Sequence, residues 1–219
     1  MDWLDGQRLE EALAALLFDG QARAAFREGR ADARLASLDP SELEEAAASV
    51  RRMVLERTHR GTGGLTAWFP QTLAAWRTIH PDDQQIDALL EEFCASTACA
   101  AWRELPGEAR GISLEEAFYR FFVDSDVGNS LVREQEFLSA IVRGLAIAPH
   151  ARFAWPSALR AAPGGCFALT ATSTLHAALD GRYVSGSVDA LVAALLNGEP
   201  SSMEADAVRE RLREMRLLE

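Results

Sequence analysis

Apolar residues recur at helical spacing through the first two thirds of the chain. Leu13, Leu16 and Leu17 lie four, seven and eight positions after Leu9, so all four share one face of a helix. Similar apolar stripes follow later in this part of the chain. The pattern predicts a helical bundle over residues 1–149, with later helices near 40–58, 70–79, 81–103, 113–122 and 130–148.

Two of these predicted helices carry clear start signals. Asp39 precedes Pro40 and suits the N-cap position, because its carboxylate can accept a hydrogen bond from a free amide of the first turn. Ser113 and Glu116 form a capping box at the start of another helix. Adjacent glutamates are predicted to lie on solvated helix faces; these pairs are Glu44-Glu45, Glu91-Glu92 and Glu115-Glu116.

The pattern changes at Pro149. In residues 152–156, apolar side chains alternate with other residues, which predicts an extended segment. Residues 157–161 predict a second short strand, and residues 165–170 predict a third. Pro163-Gly164 suits the centre of a type II turn between the last two. Three short helices are then predicted, near 172–179, 188–196 and from 201 onward. The expected fold class is therefore mainly α: an N-terminal helical bundle (1–149) followed by a small α+β winged-helix domain (150–219) of three strands and three helices.

The charge and hydropathy of the chain indicate which kinds of partner it can bind. The net charge is −11, and all 22 basic residues are arginine. Residues 1–149 hold 15 arginines against 25 acids, whereas residues 150–219 hold 7 against 8. Neither part has the positive surface that displaces phosphate counterions, so no nucleic-acid partner is expected. No apolar run approaches the length of about 18 residues that spans a bilayer, and the acidic N-terminus does not resemble a secretory signal. These features predict a cytoplasmic protein with no membrane partner.

The chain offers no recognisable catalytic or metal-binding motif. Cys94, Cys99 and Cys166 are an odd number without CxxC spacing, and they are interpreted as free thiols. Cys94 and Cys99 are five apart, which places them on different faces of a continuous helix. There is no HExxH motif, no P-loop lysine and no nucleophile elbow. We therefore expect no catalytic residue, metal or cofactor in this chain, and surface or boundary positions for its histidines: His59, His80, His150 and His176.

Residues 150–219 nevertheless resemble a known recognition unit. The segments LTATSTLHAALDG and VRERLREMRLLE look like the winged-helix element that binds precursor peptides in enzymes modifying ribosomally made peptides. Its free-standing form is the small peptide chaperone of pyrroloquinoline quinone biosynthesis. The resemblance implies that the leader of a precursor peptide adds as a strand to the third strand, against a wall formed by the third helix. The implied peptide-binding residues are Gly165, Cys166, Phe167, Ala168, Leu169, Thr170, Val208, Arg209, Leu212 and Met215.

The helical part is similar to a second family. The segments LEEALAALLFDGQARAAFREG, RRMVLERTHRGTGGL and ISLEEAFYRFF resemble helical partner proteins of multinuclear non-haem iron oxidative enzymes, such as the partner in methanobactin biosynthesis. The resemblance implies a heterodimer in which the partner enzyme holds the iron and this chain presents the peptide. A polar, glycine-rich segment is the candidate docking loop, or else an ordinary helix end and connector; it comprises His59, Arg60, Gly61, Thr62, Gly63 and Gly64.

Two other functions fit the same expected fold. A winged-helix transcription regulator would place a helix in the major groove of DNA, but the predicted helix SVDALVAALLNG has no basic residue for that task. A scaffold subunit would use the winged-helix unit only for packing. Exposure of the edge of the third strand separates peptide binding from the scaffold hypothesis.

Overall fold

The computed structural model describes residues 3–30, 35, 37–56, 64–79, 85–103, 113–147, 158–199 and 205–219. Within these ranges the protein is mainly helical, and its N-terminal part is helical as predicted. The helices that precede the sheet are α1 (Trp3–Phe18), α2 (Gly20–Arg27), α3 (Pro40–Glu56), α4 (Leu65–Trp68), α5 (Pro70–Ile79), α6 (Gln85–Ala95), α7 (Thr97–Arg103), α8 (Leu114–Asp124) and α9 (Ser130–Ile147).

Side-chain caps fix two of these helix starts where the sequence predicts them. The Asp39 carboxylate accepts a hydrogen bond from the Ser41 amide at 2.7 Å, and Ser113 Oγ accepts one from the Glu116 amide at 3.1 Å. Each cap satisfies an amide that has no partner within its own helix. The helix predicted over 81–103 is instead interrupted at Ser96, which separates α6 from α7.

A four-stranded sheet and two helices make up the described part of residues 150–219. Each strand pairs antiparallel with the next one along the chain, so the order across the sheet is β1-β2-β3-β4. The elements are β1 (Leu159–Ala162), β2 (Gly165–Leu169), β3 (Thr174–Leu179), β4 (Arg182–Ser187), α10 (Ala190–Leu196) and α11 (Asp206–Glu214).

The helix predicted near 172–179 is wrong, because this segment forms β3 and pairs with β4. The turn that joins these strands consists of Asp180 and Gly181, between the paired residues Leu179 and Arg182. Its two central residues have φ of 49° and 75°. Two consecutive positive φ values are typical of a type I′ turn, whose twist matches that of an antiparallel pair. The described part of residues 150–219 thus forms four strands and two helices, and the three-strand winged-helix topology is not confirmed.

The other elements predicted for residues 150–219 agree with the structure where it describes them. The strands predicted over 157–161 and 165–170 correspond to β1 and β2, and the helix predicted near 188–196 corresponds to α10. The predicted strand at 152–156 lies outside the described residues. The last predicted helix is present as α11, whose described part begins at Asp206.

The turn between β1 and β2 is in the predicted place but has a different geometry. Gly164 does not adopt the positive φ that a type II turn requires; Gly165 does, with φ of 148°. A Cβ atom at Gly165 would lie 2.2 Å from the carbonyl oxygen of Ala178 on β3. Glycine is therefore required at position 165 both by the backbone conformation and by the close approach of β3.

The sheet is the middle layer between two sets of helices. Alternate side chains of β2 point to opposite faces, as in any strand. Cys166 and Ala168 join the large core that includes α9, whereas Phe167 joins a smaller core with Leu195 of α10 and Leu212 of α11. Both faces of β2 are therefore buried.

The larger core crosses the predicted domain boundary at residue 149. It includes Phe118 and Ile141 from the helices together with Leu159, Cys166 and Ala178 from the sheet. The boundary separates the helices from the sheet along the chain, but the two parts share one hydrophobic core. Their relative position is consequently fixed by packing rather than by a linker.

Candidate peptide-binding edge of the sheet

The strand predicted to receive a peptide has no free edge. Residues of β2 pair with β1 on one side and with β3 on the other; Ala168, for example, lies opposite both Leu159 and His176. The Thr170 amide, just after β2, donates to the Thr174 carbonyl at 2.9 Å. Strand addition to residues 165–168 is therefore excluded, because neighbouring strands already pair with these residues on both sides.

The residues predicted on the last helix do not form one groove wall. Leu212 is buried in the smaller core, and Val208 packs against that core. Met215 lies beyond the end of α11 and is 42% exposed. Arg209 forms an ion pair with Asp206, at 3.3 Å. The interpretation of Leu212 as a groove residue is corrected: its side chain stabilises the fold.

Most of the predicted docking segment lies outside the described residues, including His59, Arg60, Gly61, Thr62 and Gly63. Gly64 is described. It is buried at the start of α4, where its carbonyl oxygen accepts hydrogen bonds from the amides of Ala67 and Trp68 at 2.9 and 3.1 Å.

The outer strands of the sheet are β1 and β4, and no strand of the described ranges pairs with their outer edges. A groove of about 400 Å³ runs beside β1. Residues of β1 form one side of it, and residues from β2, α10 and the C-terminal segment form the rest. The lining residues are Arg160, Ala161, Ala162, Pro163, Phe167, Leu196, Leu217, Leu218 and Glu219.

The C-terminal residues are held beside this groove by Arg216. Its φ of 59° reverses the chain after α11, and the Leu217 amide then donates to the Leu212 carbonyl at 2.9 Å, as in a Schellman motif. The guanidinium group of Arg216 donates to the Asp180 carboxylate at 2.6 Å and to the Pro163 carbonyl at 2.9 Å. Arg216 thereby joins the two hairpin turns and fixes Leu217 and the half-buried Leu218 at the groove.

Arg160 connects β1 to α10 at the groove. Its guanidinium group donates to the Leu196 carbonyl at 2.8 Å, which satisfies a carbonyl at the C-terminal end of α10. The groove therefore combines three features: residues of an outer strand, an apolar wall and the cationic side chain of Arg160. An extended peptide with at least one bulky apolar side chain matches this combination.

A polar network lies between α9 and the opposite end of the sheet. The Tyr183 hydroxyl lies 2.8 Å from His176 Nδ1 and 2.9 Å from Ser139 Oγ. Ser185 Oγ lies 3.1 Å from the same histidine nitrogen. The guanidinium carbon of Arg143 lies 4.9 Å from the centre of the Tyr183 ring. The network connects α9 to β3 and β4 through side chains.

His176 is buried in this network, so its predicted surface or boundary position is wrong. Burial, followed by the positive charge of Arg143, lowers the pKa of His176 to about 4. The imidazole is consequently neutral near pH 7. Its Nε2 atom is buried and has no hydrogen-bond partner among the described residues. His59, His80 and His150 lie outside the described part of the chain.

Several buried charges were not predicted. Glu115 and Glu116 are 1% and 8% exposed, contrary to the expected solvated face. Arg23 is 2% exposed, and its guanidinium group forms ion pairs with Glu44 at 3.2 Å and with Glu91. The burial of Arg23 could not be read from a local pattern, because its partners lie 21 and 68 positions along the chain.

Comparison with protein-family models, with curated proteins and with solved structures finds no match to this chain. Over the described ranges, no helix has both the length and the apolar composition to cross a membrane. Nor do three or more His, Cys, Asp or Glu side chains come together there as metal ligands.

Proposed function

We propose that this chain is a non-catalytic partner subunit that binds the leader of a ribosomally made precursor peptide and presents the peptide to a multinuclear iron-dependent oxidative enzyme. The proposal rests on the two sequence resemblances, and one structural observation carries its peptide-binding part. That observation is the groove of about 400 Å³ lined by residues of β1, which is an outer strand of the sheet.

In the proposed complex, the leader adds to β1 as a further strand. An outer strand presents backbone N–H and C=O groups that can pair with an extended chain. Alternate side chains of the added strand would point into the groove, where Phe167, Leu196 and Leu218 offer apolar contacts. The four residues of β1 correspond to a strand of roughly 13 Å, which is enough to align four leader residues.

Groove contacts of this kind suit a leader with a bulky apolar residue. A carboxylate beside that residue would meet Arg160, which is exposed at the groove. Micromolar binding, which corresponds to about −8 kcal/mol, is the affinity expected of the site.

The metal belongs to the partner enzyme in this proposal. The helical part would dock that enzyme, with residues 59–64 as the candidate docking segment, and the heterodimer interface should bury on the order of 1,200–2,000 Å². The acidic charge of residues 1–149 favours a basic surface on the enzyme. The complex would act in the cytoplasm, without nucleic acid or membrane.

The test is co-expression of the tagged chain with its neighbouring genes, followed by purification and metal analysis. We expect an iron-containing protein and a short peptide to co-purify with the chain. If the chain is purified alone and without metal, the proposal fails, and the regulator and scaffold hypotheses take its place.

Two matched variants locate the peptide site. Leu218→Ser removes an apolar contact from the β1 groove, whereas Val184→Ser removes an exposed aliphatic side chain from the opposite edge of the sheet. We expect Leu218→Ser to weaken peptide binding about tenfold while the iron-containing protein still co-purifies. Val184→Ser should leave the peptide affinity unchanged. If Val184→Ser weakens peptide binding and Leu218→Ser does not, the peptide binds at β4 instead.

A further inference from the structure

The outer strand β4 is longer than β1, and five of its six residues are exposed. Val184 is 47% exposed, and Gly186 is exposed as well. Exposure of Gly186 is exposure of the backbone, because glycine has no side chain. A Cβ atom at this position would have none of the described atoms within 4 Å. Within the described ranges, β4 is therefore accessible to another chain.

The pairing with β3 shows which backbone groups of β4 point outward. The amide of Val188, just after β4, donates to the Ser173 carbonyl at 2.9 Å, so residue 188 faces β3. The N–H and C=O groups of successive residues point to alternate sides of an antiparallel strand. The register with β3 is regular along β4. The three residues that direct their N–H and C=O groups to the outer edge are consequently Tyr183, Ser185 and Ser187.

The sequence of β4 lacks the features that usually prevent an outer strand from pairing. Natural sheets use proline, lysine and bulges for this purpose. The segment RYVSGS contains neither proline nor lysine, and its six residues pair with β3 without a bulge. Its one charged residue, Arg182, lies at the end next to the turn. The outer edge of β4 is thus suited to accept a further strand.

We propose that β4 pairs antiparallel with β4 of a second copy of this chain, across a two-fold axis at Ser185. In this register, Ser185 lies opposite Ser185 of the second copy, and Tyr183 lies opposite Ser187. All of these residues direct their backbone groups outward, so the two edges match each other, as a two-fold interface requires. Two sheets of four strands become one continuous sheet. The inference does not depend on the proposed function.

Side chains beside the axis fit this register. Val184 lies opposite Gly186 of the second copy, so the exposed aliphatic side chain of one copy is covered where the other copy has open space. The two-fold axis repeats this contact, so it occurs twice. A peptide of unrelated sequence would not supply this matched pair. The fit therefore favours a second copy as the partner of β4.

The distribution of charge is compatible with the same contact. Arg182 lies opposite Val188 of the second copy, one position from Asp189, and both charged residues are exposed. Opposite charges are therefore neighbours on each side of the axis. Residues 150–219 hold 7 arginines against 8 acids, whereas residues 1–149 hold 15 against 25. The sheet thus lies in the part of the chain with the least self-repulsion.

The oligomeric state of the full chain tests the proposal. Sedimentation velocity at increasing protein concentration measures the mass of the species present, which is 23.9 kDa for a single chain. We expect a reversible rise toward twice this mass. A strand pair buries less than about 1,200 Å², so the dimer should be weak and should dissociate on dilution.

Two substitutions at Ser185 test the strand pairing. Ser185→Pro removes the central outward N–H, and proline is tolerated at such positions of an outer strand. Ser185→Ala is the matched control, because it keeps the N–H and removes the same hydroxyl contact with His176. We expect Ser185→Pro to raise the dissociation constant of the dimer at least about tenfold, and Ser185→Ala to change it by less than about twofold.

Asp189→Asn tests the charge contact without a change in β4. The Asp189 carboxylate caps α10 by accepting from the Val192 amide at 2.8 Å, and asparagine caps helices equally well. We expect the dissociation constant to rise about threefold, since an exposed ion pair is lost on each side of the axis. Leu218→Ser, at the β1 groove, should leave the dimer unchanged.

Circular dichroism checks that each variant is folded. If Ser185→Pro does not fold, Val184→Lys replaces it, because a lysine on the edge opposes pairing, and the same loss of the dimer is expected. The proposal is overturned if the unmodified chain remains a single species of 23.9 kDa at every concentration. It is also overturned if the dimer is as stable in the folded edge variant as in Ser185→Ala.

Discussion

Glu136 on α9 accepts two hydrogen bonds from Thr72 on α5, one from its amide at 3.1 Å and one from its hydroxyl at 2.6 Å. The amide of Gln71 donates to the same carboxylate at 2.6 Å. The carboxylate therefore caps the N-terminus of a neighbouring helix, where its negative charge is also favourable.

We predict that Glu136→Ala destabilises the protein by about 3 kcal/mol. Thr72 is 1% exposed, so its amide and hydroxyl would lose their partner without access to bulk water. Urea unfolding followed by circular dichroism measures the change. Glu134→Ala on the same helix is the control, because Glu134 is only half-buried; its effect should stay below about 0.5 kcal/mol. Equal effects of the two substitutions would contradict the capping role.

His176 should make the stability depend on pH. Its pKa in the folded protein is about 4, below the ordinary value of 6.5, so the unfolded chain binds more protons between these two values. The free energy of unfolding should therefore fall as the pH drops through this window, with about 2 kcal/mol of the loss between pH 7 and pH 5 due to His176.

His176→Asn is expected to remove this contribution, since asparagine does not titrate in that range. Urea unfolding of both proteins at the two pH values gives the comparison, and the other three histidines are present in both. A pH dependence that is the same in the variant as in the parent protein would show that His176 is not protonated differently on unfolding.

The turn at Asp180 provides a test of the hairpin itself. Asparagine tolerates positive φ well, whereas a β-branched residue does not, so we expect Asp180→Asn to change stability by less than about 0.5 kcal/mol and Asp180→Val to cost about 2 kcal/mol. The partner Arg216 is half exposed, so loss of the ion pair adds little in either variant. Thermal unfolding compares the two variants. Equal melting temperatures would favour the helix predicted from the sequence.

The helical part could be predicted because its signals are local. The spacing of Leu9, Leu13 and Leu16 and the caps at Asp39 and Ser113 each depend on residues within about eight positions. The hairpin after residue 173 was not predicted because both faces of β3 are buried, so it lacks alternation between apolar and polar side chains. The available local signal was Asp180-Gly181, a dipeptide that strongly favours a two-residue hairpin turn.

The candidate groove depends on which strands pair with each other, and a single sequence does not specify this pairing. Phe167 was correctly placed on a strand, but whether that strand is at an edge depends on β3, which was predicted as a helix. The groove also needs Leu196 and Leu218, which come from separate segments and meet only in the folded chain. Glu136 and Thr72 are a similar case, since they lie 64 positions apart.

The hydrophobic core shared by the helices and the sheet has a geometric consequence for the proposed function. Because α9 packs in one core with both the other helices and the sheet, β1 and the helical part cannot move independently of each other. On the proposed function, the protein would hold the bound leader at a fixed distance from the active site of the partner enzyme. The number of residues between the leader and the modified position of the precursor would be set by this rigid span, and precursors with a longer or shorter spacer would bind equally well but place the wrong residue at the iron.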